Sequence, residues 1–105
     1  MTALSEKTYQ LLKKIPRGKI TTYKELGKAL HTKAYRAIGQ ILRVNPNAPE
    51  VPCHRVVASD GSIGGYMGKT GGESIQRKIA LLKKEDIEVK KNKIVDFEKV
   101  LYRFK

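Results

Sequence analysis

The residues with the clearest chemical potential lie in the stretch from Val51 to Val57, VPCHRVV, which holds the only cysteine of the chain. The thiolate is the strongly nucleophilic form of cysteine, and cationic neighbours such as His54 and Arg55 favour it. A free cysteine is also a common small core residue, and successive side chains of a strand point to opposite faces. The residue types alone therefore leave a nucleophile and a core residue as alternatives for Cys53.

A second candidate is the glycine-rich segment from Gly64 to Gly72, which contains Gly68-Lys69-Thr70. A phosphate-binding P-loop has four residues between its two glycines, whereas three separate Gly64 from Gly68 here. The segment therefore does not fit a nucleotide-phosphate site. A flexible lid, or a loop that approaches another backbone closely, is expected instead.

Charge and composition narrow the class of protein. The 105 residues fit a single domain, and the net charge of +12 indicates a polyanionic partner, of which nucleic acid is the commonest. A solubilising surface is the alternative explanation of that charge. One cysteine cannot form an internal disulfide, and no Cys or His lies at ligand spacing, so neither a disulfide nor a metal site is expected. The sequence shows no signal peptide or membrane-spanning run, so we expect a soluble, cytoplasmic protein without membrane contact.

Helical periodicity predicts two short helices that resemble a helix-turn-helix. Thr22 and Glu25 form a capping-box pair that begins the first, and a break at residues 31–33 separates it from the second. The second helix is expected to turn inward its apolar residues, Tyr35, Ile38, Ile41 and Leu42. Its other face carries polar and basic residues, Arg36, Gln40 and Arg43. This pattern is typical of DNA-binding helix pairs, although many helical hairpins share it.

The remaining segments complete a mainly helical chain. The predicted elements, in order, are a helix over residues 4–15 with Ser5 as its cap, a short strand over 55–59, a turn at 60–61 and a helix over 73–86 with Ile75, Ile79 and Leu82 inward. The tail predicts a small hairpin that turns at Lys91-Asn92, followed by a helical turn. The expected fold class is therefore mainly α with a short β-hairpin, a helix-turn-helix domain of winged-helix type.

Several of these segments together resemble the O6-alkylguanine-DNA alkyltransferases, also called methylated-DNA–protein-cysteine methyltransferases. The resemblance is carried by PCHRV at 52–56, GKITTY at 18–23, KAYRAIG at 33–39, the Asn45-Pro46 pair and the Gly65-Tyr66 loop. It spans roughly Leu4 to Ile87. It implies that residues 1–105 form the family's catalytic and DNA-binding domain, without its usual N-terminal domain. The expected protein is a monomer that needs no cofactor.

The resemblance also implies a reaction. In the family the cysteine of PCHRV takes an alkyl group from O6 of guanine irreversibly, so Cys53 would act once per molecule. His54 matches the histidine of a relay that links the cysteine through water to a glutamate, and Glu85 is the expected glutamate. Asn45 matches the asparagine that braces the active-site turn. From the residues themselves, Asn45 equally fits an ordinary Asn-Pro turn.

The implied partner is double-stranded DNA that contains O6-alkylguanine. The target nucleotide must leave the stack, because the O6 substituent lies inside the duplex. The resemblance gives Tyr23 a role in rotating and hydrogen-bonding that nucleotide, and Arg36 a role in filling the gap it leaves. Without the resemblance, Tyr23 would be expected to pack and Arg36 to be solvated. The other expected DNA-facing residues are Ala34, Ala37, Gly39, Gln40 and Arg43. The expected base pocket is bordered by Val51, Pro52, Gly65, Tyr66 and Met67.

Two departures from the family pattern affect the expected activity. The family loop often reads Gly-x-Tyr-Ser-Gly-Gly, whereas Met67 follows Tyr66 here and offers a backbone amide but no hydroxyl. The chain is also as short as the alkyltransferase-like proteins, which bind the same lesions but carry tryptophan at the position of Cys53. A non-catalytic lesion-binding protein that recruits other repair factors is therefore the main alternative. A general helix-turn-helix DNA binder with an incidental cysteine is a third.

Overall fold

The computed structural model describes residues 3–47, 50–65 and 72–104. Its helices are α1 (Ala3–Lys14), α2 (Tyr23–Leu30), α3 (Tyr35–Arg43), α4 (Glu73–Lys84) and α5 (Phe97–Val100). Its strands are β1 (Thr21–Thr22), β2 (Val56–Val57), β3 (Val89–Lys90) and β4 (Lys93–Ile94), and a 3-10 turn spans Cys53–Arg55. The predicted class, mainly α with a short hairpin, is confirmed. None of the helices in the described ranges is long and apolar enough to cross a membrane.

The first three helices pack together around one hydrophobic cluster that includes Leu12, Leu26 and Ile38. The predicted cap of α2 is confirmed, because the Thr22 hydroxyl accepts a hydrogen bond of 3.1 Å from the Glu25 amide. Ser5 is not the cap of α1: the helix already includes Ala3, and Ser5 is buried within it.

The prediction that Tyr35 faces the core is wrong. Its side chain is 41% exposed, whereas Ile38 and Leu42 of the same helix are buried as expected. The Tyr35 ring lies instead over Gly27 of α2, where an added Cβ would come within 2.6 Å of the ring. The absence of a side chain at Gly27 thus allows the two helices to approach at this point.

A small parallel sheet joins the helical cluster to the segment that follows Cys53. Strand β1 pairs with β2 in the register Thr21↔Val56 and Thr22↔Val57. Ile20, which directly precedes β1, forms a parallel bridge with Leu101 of the C-terminal segment. Since β1 also leads directly into α2, this sheet fixes the turn before β2 relative to the helix-turn-helix.

The predicted C-terminal hairpin is confirmed, with β3 and β4 paired antiparallel. Lys91 and Asn92 occupy its turn with φ values of 49° and 68°, the left-handed conformation of a two-residue hairpin turn. The predicted turn at Asp60-Gly61 is also present, with Gly61 at φ +88° and the Phe97 ring 3.2 Å from where its Cβ would lie. Leu82 of α4 is fully buried and belongs to the second hydrophobic cluster.

Candidate active site

Cys53 lies on the 3-10 turn that immediately precedes β2, rather than on the strand itself. The turn is closed by backbone hydrogen bonds from the Cys53 amide to the Val51 carbonyl, at 2.8 Å, and from the Arg55 amide to the Pro52 carbonyl, at 3.0 Å. Cys53 is 5% exposed and belongs to the first hydrophobic cluster. The thiol thus lies in the hydrophobic core.

Asn45 connects the end of α3 to this turn. Its side-chain amide donates a hydrogen bond of 2.7 Å to the Val51 carbonyl, and its side-chain oxygen accepts one of 3.1 Å from the Asn47 amide. Burial raises the pKa of the Cys53 thiol overall, and a hydrogen bond with Asn45 opposes part of that rise. Asn45 is 3% exposed, so these contacts are made away from solvent, where they hold the backbone more firmly than a surface turn would.

His54 and Glu85 form a buried pair. Nε2 of His54 lies 2.9 Å from Oε2 of Glu85, which directly follows α4. Burial raises the pKa of the Glu85 carboxyl, but hydrogen bonds from Arg55 and His54 outweigh this and leave it lowered, so the group is a carboxylate. Burial lowers the pKa of His54 further than the Glu85 contact raises it. The imidazole is therefore neutral at neutral pH.

The other ring nitrogen of His54 is then a hydrogen-bond acceptor. A neutral imidazole carries one N–H, and a carboxylate can only accept, so the proton lies on Nε2. Nδ1 is buried and has no hydrogen-bond partner within the described part of the chain. The structure thus holds a basic nitrogen in the residue next to Cys53, with its orientation fixed by Glu85.

Arg55 does not supply the positive charge beside the sulfur, contrary to the sequence interpretation. Its guanidinium donates bidentately to Glu85, at 2.7 and 2.9 Å, and to the Ile15 carbonyl at 2.7 Å. The charge of Lys78 on α4 acts on Cys53 instead and lowers its pKa, although burial has the larger effect and raises it overall. At neutral pH the resting sulfur is a protonated thiol.

Lys78 is a functional candidate that the sequence reasoning missed. Its side chain is fully buried and its ammonium donates to the carbonyls of Val56, Ile63 and Gly65, at 2.8, 2.5 and 2.9 Å. Burial lowers its pKa to about 8. The spacing with Ile75 and Leu82 places Lys78 on the inward stripe of α4, which was the available sign that this lysine is buried.

A separate cleft of about 580 Å³ opens beside α3, with lining residues Tyr23, Lys24, Tyr35, Arg36, Gly39 and Ser59. The structure therefore brings Tyr23, Arg36 and Gly39 of the predicted DNA-facing set together. Tyr23 is half-buried, and burial raises the pKa of its phenol, with a smaller contribution from Cys53 in its ionised form. Tyr23 thus lines the cleft and also packs against the hydrophobic cluster that contains Cys53.

The remaining predicted residues are distributed around these features. Ala34 precedes α3 as its exposed N-cap residue, and Ala37 is half-buried. Gln40 and Arg43 are exposed on α3 but do not line the cleft. Val51 and Pro52 are buried beside Cys53, and Gly65 accepts the hydrogen bond from Lys78. Tyr66 and Met67 lie outside the described residues.

The donor set near Cys53 does not form a metal site. Over residues 3–47, 50–65 and 72–104, no group of three or more His, Cys, Asp or Glu side chains is placed to hold a metal ion. Apart from Nδ1 of His54, the polar side chains of this region bind one another or the backbone, an arrangement that suits proton transfer and positioning.

Comparison with known proteins assigns the same part of the chain to one family model. The model described as 6-O-methylguanine DNA methyltransferase, DNA binding domain, matches residues 3–87. A methylated-DNA–protein-cysteine methyltransferase of Candida glabrata is 44% identical over 87 residues, which cover 82% of this chain and 40% of that relative. The chain thus spans less than half the length of this curated relative.

Two solved structures have a similar fold. The O6-methylguanine-DNA methyltransferase from Pyrococcus kodakaraensis strain KOD1 matches with a TM-score of 0.69 and 43% identity, over 81% of this chain and 47% of that chain. The S. pombe ATL in complex with DNA matches with a TM-score of 0.80 and 26% identity, over 99% of this chain and 98% of that chain. The second similarity extends through nearly the whole chain.

Proposed function

The chain belongs to the 6-O-methylguanine DNA methyltransferase family, and from this premise we propose that it moves an alkyl group from O6 of guanine in DNA to Cys53. The observation that carries the proposal is the His54–Glu85 pair. A neutral imidazole, held through Nε2 at 2.9 Å from a carboxylate, presents its basic Nδ1 in the residue next to a buried thiol. In residue type, Cys53, His54 and Glu85 supply what such a reaction needs, namely a nucleophile, a base and a group that orients the base.

Activation of the thiol is the first step. Because burial keeps Cys53 protonated at rest, the sulfur must lose its proton before or during attack. A bridging water can carry this proton to Nδ1 of His54, and Glu85 stabilises the imidazolium that forms. The positive charge of Lys78 favours the thiolate in the same step.

Alkyl transfer then follows as an in-line displacement. The sulfur approaches the alkyl carbon to about 3–3.5 Å, forms the S–C bond and displaces O6, which takes the bonding electron pair. The developing charge on O6 and the ring is neutralised by a proton from solvent, while the His54 imidazolium releases the thiol's proton to solvent, so the products are guanine and a thioether on Cys53. A hydrogen bond from the Tyr23 phenol to the base would assist departure, and its raised pKa keeps that phenol protonated. The thioether has no internal route back, so each molecule acts once.

Access to the alkylated base requires that the nucleotide leave the duplex. We assign extrusion to the cleft beside α3, where Arg36 enters the stack as the nucleotide rotates past Tyr23. Ala37 and Gly39 bring little side-chain bulk to this face, and a Cβ on Gly39 would meet no heavy atom within 4 Å. The face is therefore suited to close approach by DNA.

Duplex DNA as the partner is supported by charge as well as by family. The chain carries 22 Lys and Arg against 10 Asp and Glu, which favours binding to a phosphate backbone. One structural relative, the S. pombe ATL, is described in complex with DNA.

Intact-protein mass measurement tests the proposed reaction. After mixing with a duplex that contains one O6-methylguanine, we expect the mass to rise by one methyl group at a 1:1 stoichiometry, with the modification on Cys53. The variant Cys53→Ala should bind the same duplex but gain no mass, because its DNA-facing helices are unchanged. Methylation of another residue, or no mass gain from a duplex that is bound tightly, would contradict the proposal.

A second candidate is a lesion-binding protein that recruits other factors without transfer. The observation in its favour is the match to the S. pombe ATL over 99% of this chain. The presence of Cys53, followed directly by a histidine that Glu85 orients, argues for transfer instead. Tight binding to the lesion duplex with no change of mass would select this second function, whereas equal affinity for damaged and undamaged duplex would indicate a general DNA binder.

A further inference from the structure

A cluster of positive charge surrounds the turn of the β3–β4 hairpin. Lys90, Lys91 and Lys93 lie within four consecutive positions, and all three side chains are exposed, as is Asn92. The hairpin follows residue 87, where the match to the family model ends. In the described part of the chain, none of the three lysines forms an ion pair with a carboxylate, so their charges face solvent.

The hairpin is held firmly against the segment that follows β2. The Ile94 amide donates to the Gly61 carbonyl, and the Ile63 amide donates to the Asn92 carbonyl, each at 2.9 Å. Between these bonds Ser62 and Lys93 form an antiparallel bridge, and Ile94 is buried in the second hydrophobic cluster. The β3–β4 hairpin, called the ribbon below, therefore holds the backbone of the lysines in place, so little backbone entropy is lost when they bind a partner.

The same segment connects the hairpin to the cleft beside α3. Hydrogen bonds from the Ala58 amide to the Ser62 carbonyl, at 3.0 Å, and from the Gly61 amide to the Ala58 carbonyl, at 2.9 Å, close a tight turn. Ser59 in this turn lines the cleft that Arg36 also lines. The three residue steps from Ser59 to Ser62 span at most about 11 Å, so the hairpin and the cleft are neighbours.

Glu88 and Asp96 flank the open end of this hairpin, where the Val95 amide donates to the Glu88 carbonyl, and Asp60 lies near Lys93. The charge of Lys93 contributes to lowering the pKa of Asp60, after the larger effect of hydrogen bonds from the Ser62 amide and hydroxyl to the carboxylate. Asp60 thus offsets part of the charge of Lys93.

We propose that the Lys90–Lys93 turn binds backbone phosphates of the DNA duplex, next to the nucleotides that contact the Arg36 cleft. This inference rests on the proposed function, because it takes the duplex at the cleft as its premise. Phosphate contacts carry no sequence information but fix the position of a protein on the duplex. The hairpin would thus orient the chain so that Arg36 meets the lesion.

A salt titration of duplex binding tests the ribbon. The triple variant Lys90→Gln/Lys91→Gln/Lys93→Gln should bind the lesion duplex about tenfold or more weakly than the wild-type protein near 0.1 M salt. The negative slope of log K against log salt concentration should become smaller in magnitude by about two to three. The matched control is Lys7→Gln/Lys13→Gln/Lys14→Gln on the exposed face of α1, which removes the same charge but contributes nothing to the cleft. We expect this control to change the slope by less than about one.

Replacement of the same hairpin lysines by arginine separates charge from fold, because the arginine variant should keep the wild-type slope. Equal slopes for the two glutamine variants would overturn the hairpin inference while wild-type binding and methyl transfer still stand. Salt-independent binding by the wild-type protein, or no lesion binding, would instead contradict the proposed function. A thermal unfolding midpoint measured on each variant checks that a loss of affinity is not a loss of structure.

Discussion

His54 Nε2 and Glu85 Oε2 lie 2.9 Å apart although the two residues are separated by 31 positions in the sequence. This contact joins the turn that carries Cys53 to the C-terminal end of α4. Arg55 reinforces it by binding both oxygens of the same carboxylate and the Ile15 carbonyl at the end of the first helical segment. The carboxylate therefore orients the base, and Arg55 links the turn both to the end of α4 and to the segment that follows α1.

Removal of the Glu85 charge should slow alkyl transfer. In Glu85→Gln the amide no longer stabilises an imidazolium at His54, so we expect the single-turnover rate on a lesion duplex to fall about 10²–10⁴-fold. The free energy of unfolding should fall by about 1.5–3 kcal/mol, because hydrogen bonds to a charged group are lost. Asp86→Asn is the matched control: the residue is adjacent, exposed and in a left-handed conformation that asparagine adopts readily. Equal rates for the two variants would remove Glu85 from the reaction.

The His54 pKa predicts a loss of stability in acid. Burial lowers this pKa below its ordinary value of 6.5, so below pH 6.5 the unfolded chain binds a proton that the folded chain resists. The contribution of this pKa difference to the free energy of unfolding is fully present above pH 6.5 and is lost as the pH falls toward the folded-state pKa of His54. The lowered pKa of Glu85 acts in the same direction at lower pH. Urea unfolding from pH 7.5 to 5 should show this decline.

A non-titrating replacement identifies the group responsible. In His54→Gln the side chain can still donate to Glu85 but cannot gain a proton, so its stability should decline less between pH 6.5 and 5 than that of the wild-type protein. Parallel curves for the two proteins would assign the decline to other groups. In the wild-type protein the transfer rate should fall only as the pH approaches the lowered folded-state pKa of His54, because an imidazolium cannot accept the thiol proton.

Loss of the Lys78 charge should change the reactivity of the thiol. In Lys78→Met the stem is kept but the ammonium is lost, so the pKa of Cys53 should rise and its alkylation by iodoacetamide should shift to higher pH. The three carbonyls that lose their donor should also make the variant less stable by about 1–3 kcal/mol. The exposed neighbour variant Arg77→Met is the control. A variant that is less stable but has an unshifted pH profile would leave Lys78 with a purely structural role.

Local patterns in the sequence predicted the elements well. The Thr22–Glu25 capping pair and the Lys91-Asn92 turn depend on residues a few positions apart, and the structure confirms both. Apolar periodicity within α3 assigned Tyr35 to the core. It cannot detect that Gly27 of α2 has no side chain and so leaves room for the Tyr35 ring at the surface. Contacts within one element can thus be predicted from the sequence, whereas contacts between elements can be seen only once the packing of those elements is known.

The same distinction applies to the candidate site. The PCHRV stretch located the thiol and its histidine, but the sequence could not show that Arg55 would face Glu85 and leave Lys78 as the cation near the sulfur. Which of the two cations acts on the sulfur depends on how α4 packs against the 3-10 turn. The buried position of Lys78 was available from its helical spacing, yet its three carbonyl partners come from residues 56–65, which no periodicity connects to α4.

Arg36 should matter more for duplex than for the free base. In Arg36→Ala the extruded nucleotide is no longer replaced in the stack, so transfer from a lesion duplex should slow by about tenfold or more, consistent with a few kcal/mol for unstacking. Transfer from free O6-methylguanine should change much less. Arg43→Ala, exposed on the same helix but absent from the cleft lining, should weaken binding without changing the duplex-to-base ratio. If Arg36→Ala slowed transfer from both substrates equally, Arg36 would not act by filling the gap that the extruded nucleotide leaves in the stack.

Two glycines of the helix pair should respond oppositely to alanine. A Cβ at Gly27 would lie 2.6 Å from the Tyr35 ring and 2.8 Å from the Thr32 carbonyl, so Gly27→Ala should destabilise the fold by about 1–3 kcal/mol. A Cβ at Gly39 meets no heavy atom within 4 Å, so Gly39→Ala should stabilise α3 by up to about 1 kcal/mol. If DNA approaches α3 as closely as proposed, the added methyl group at Gly39 should nevertheless weaken binding to the lesion duplex. Urea unfolding and duplex titration of Gly39→Ala together test this, because a gain in both stability and affinity would show that the helix does not come close to the DNA backbone.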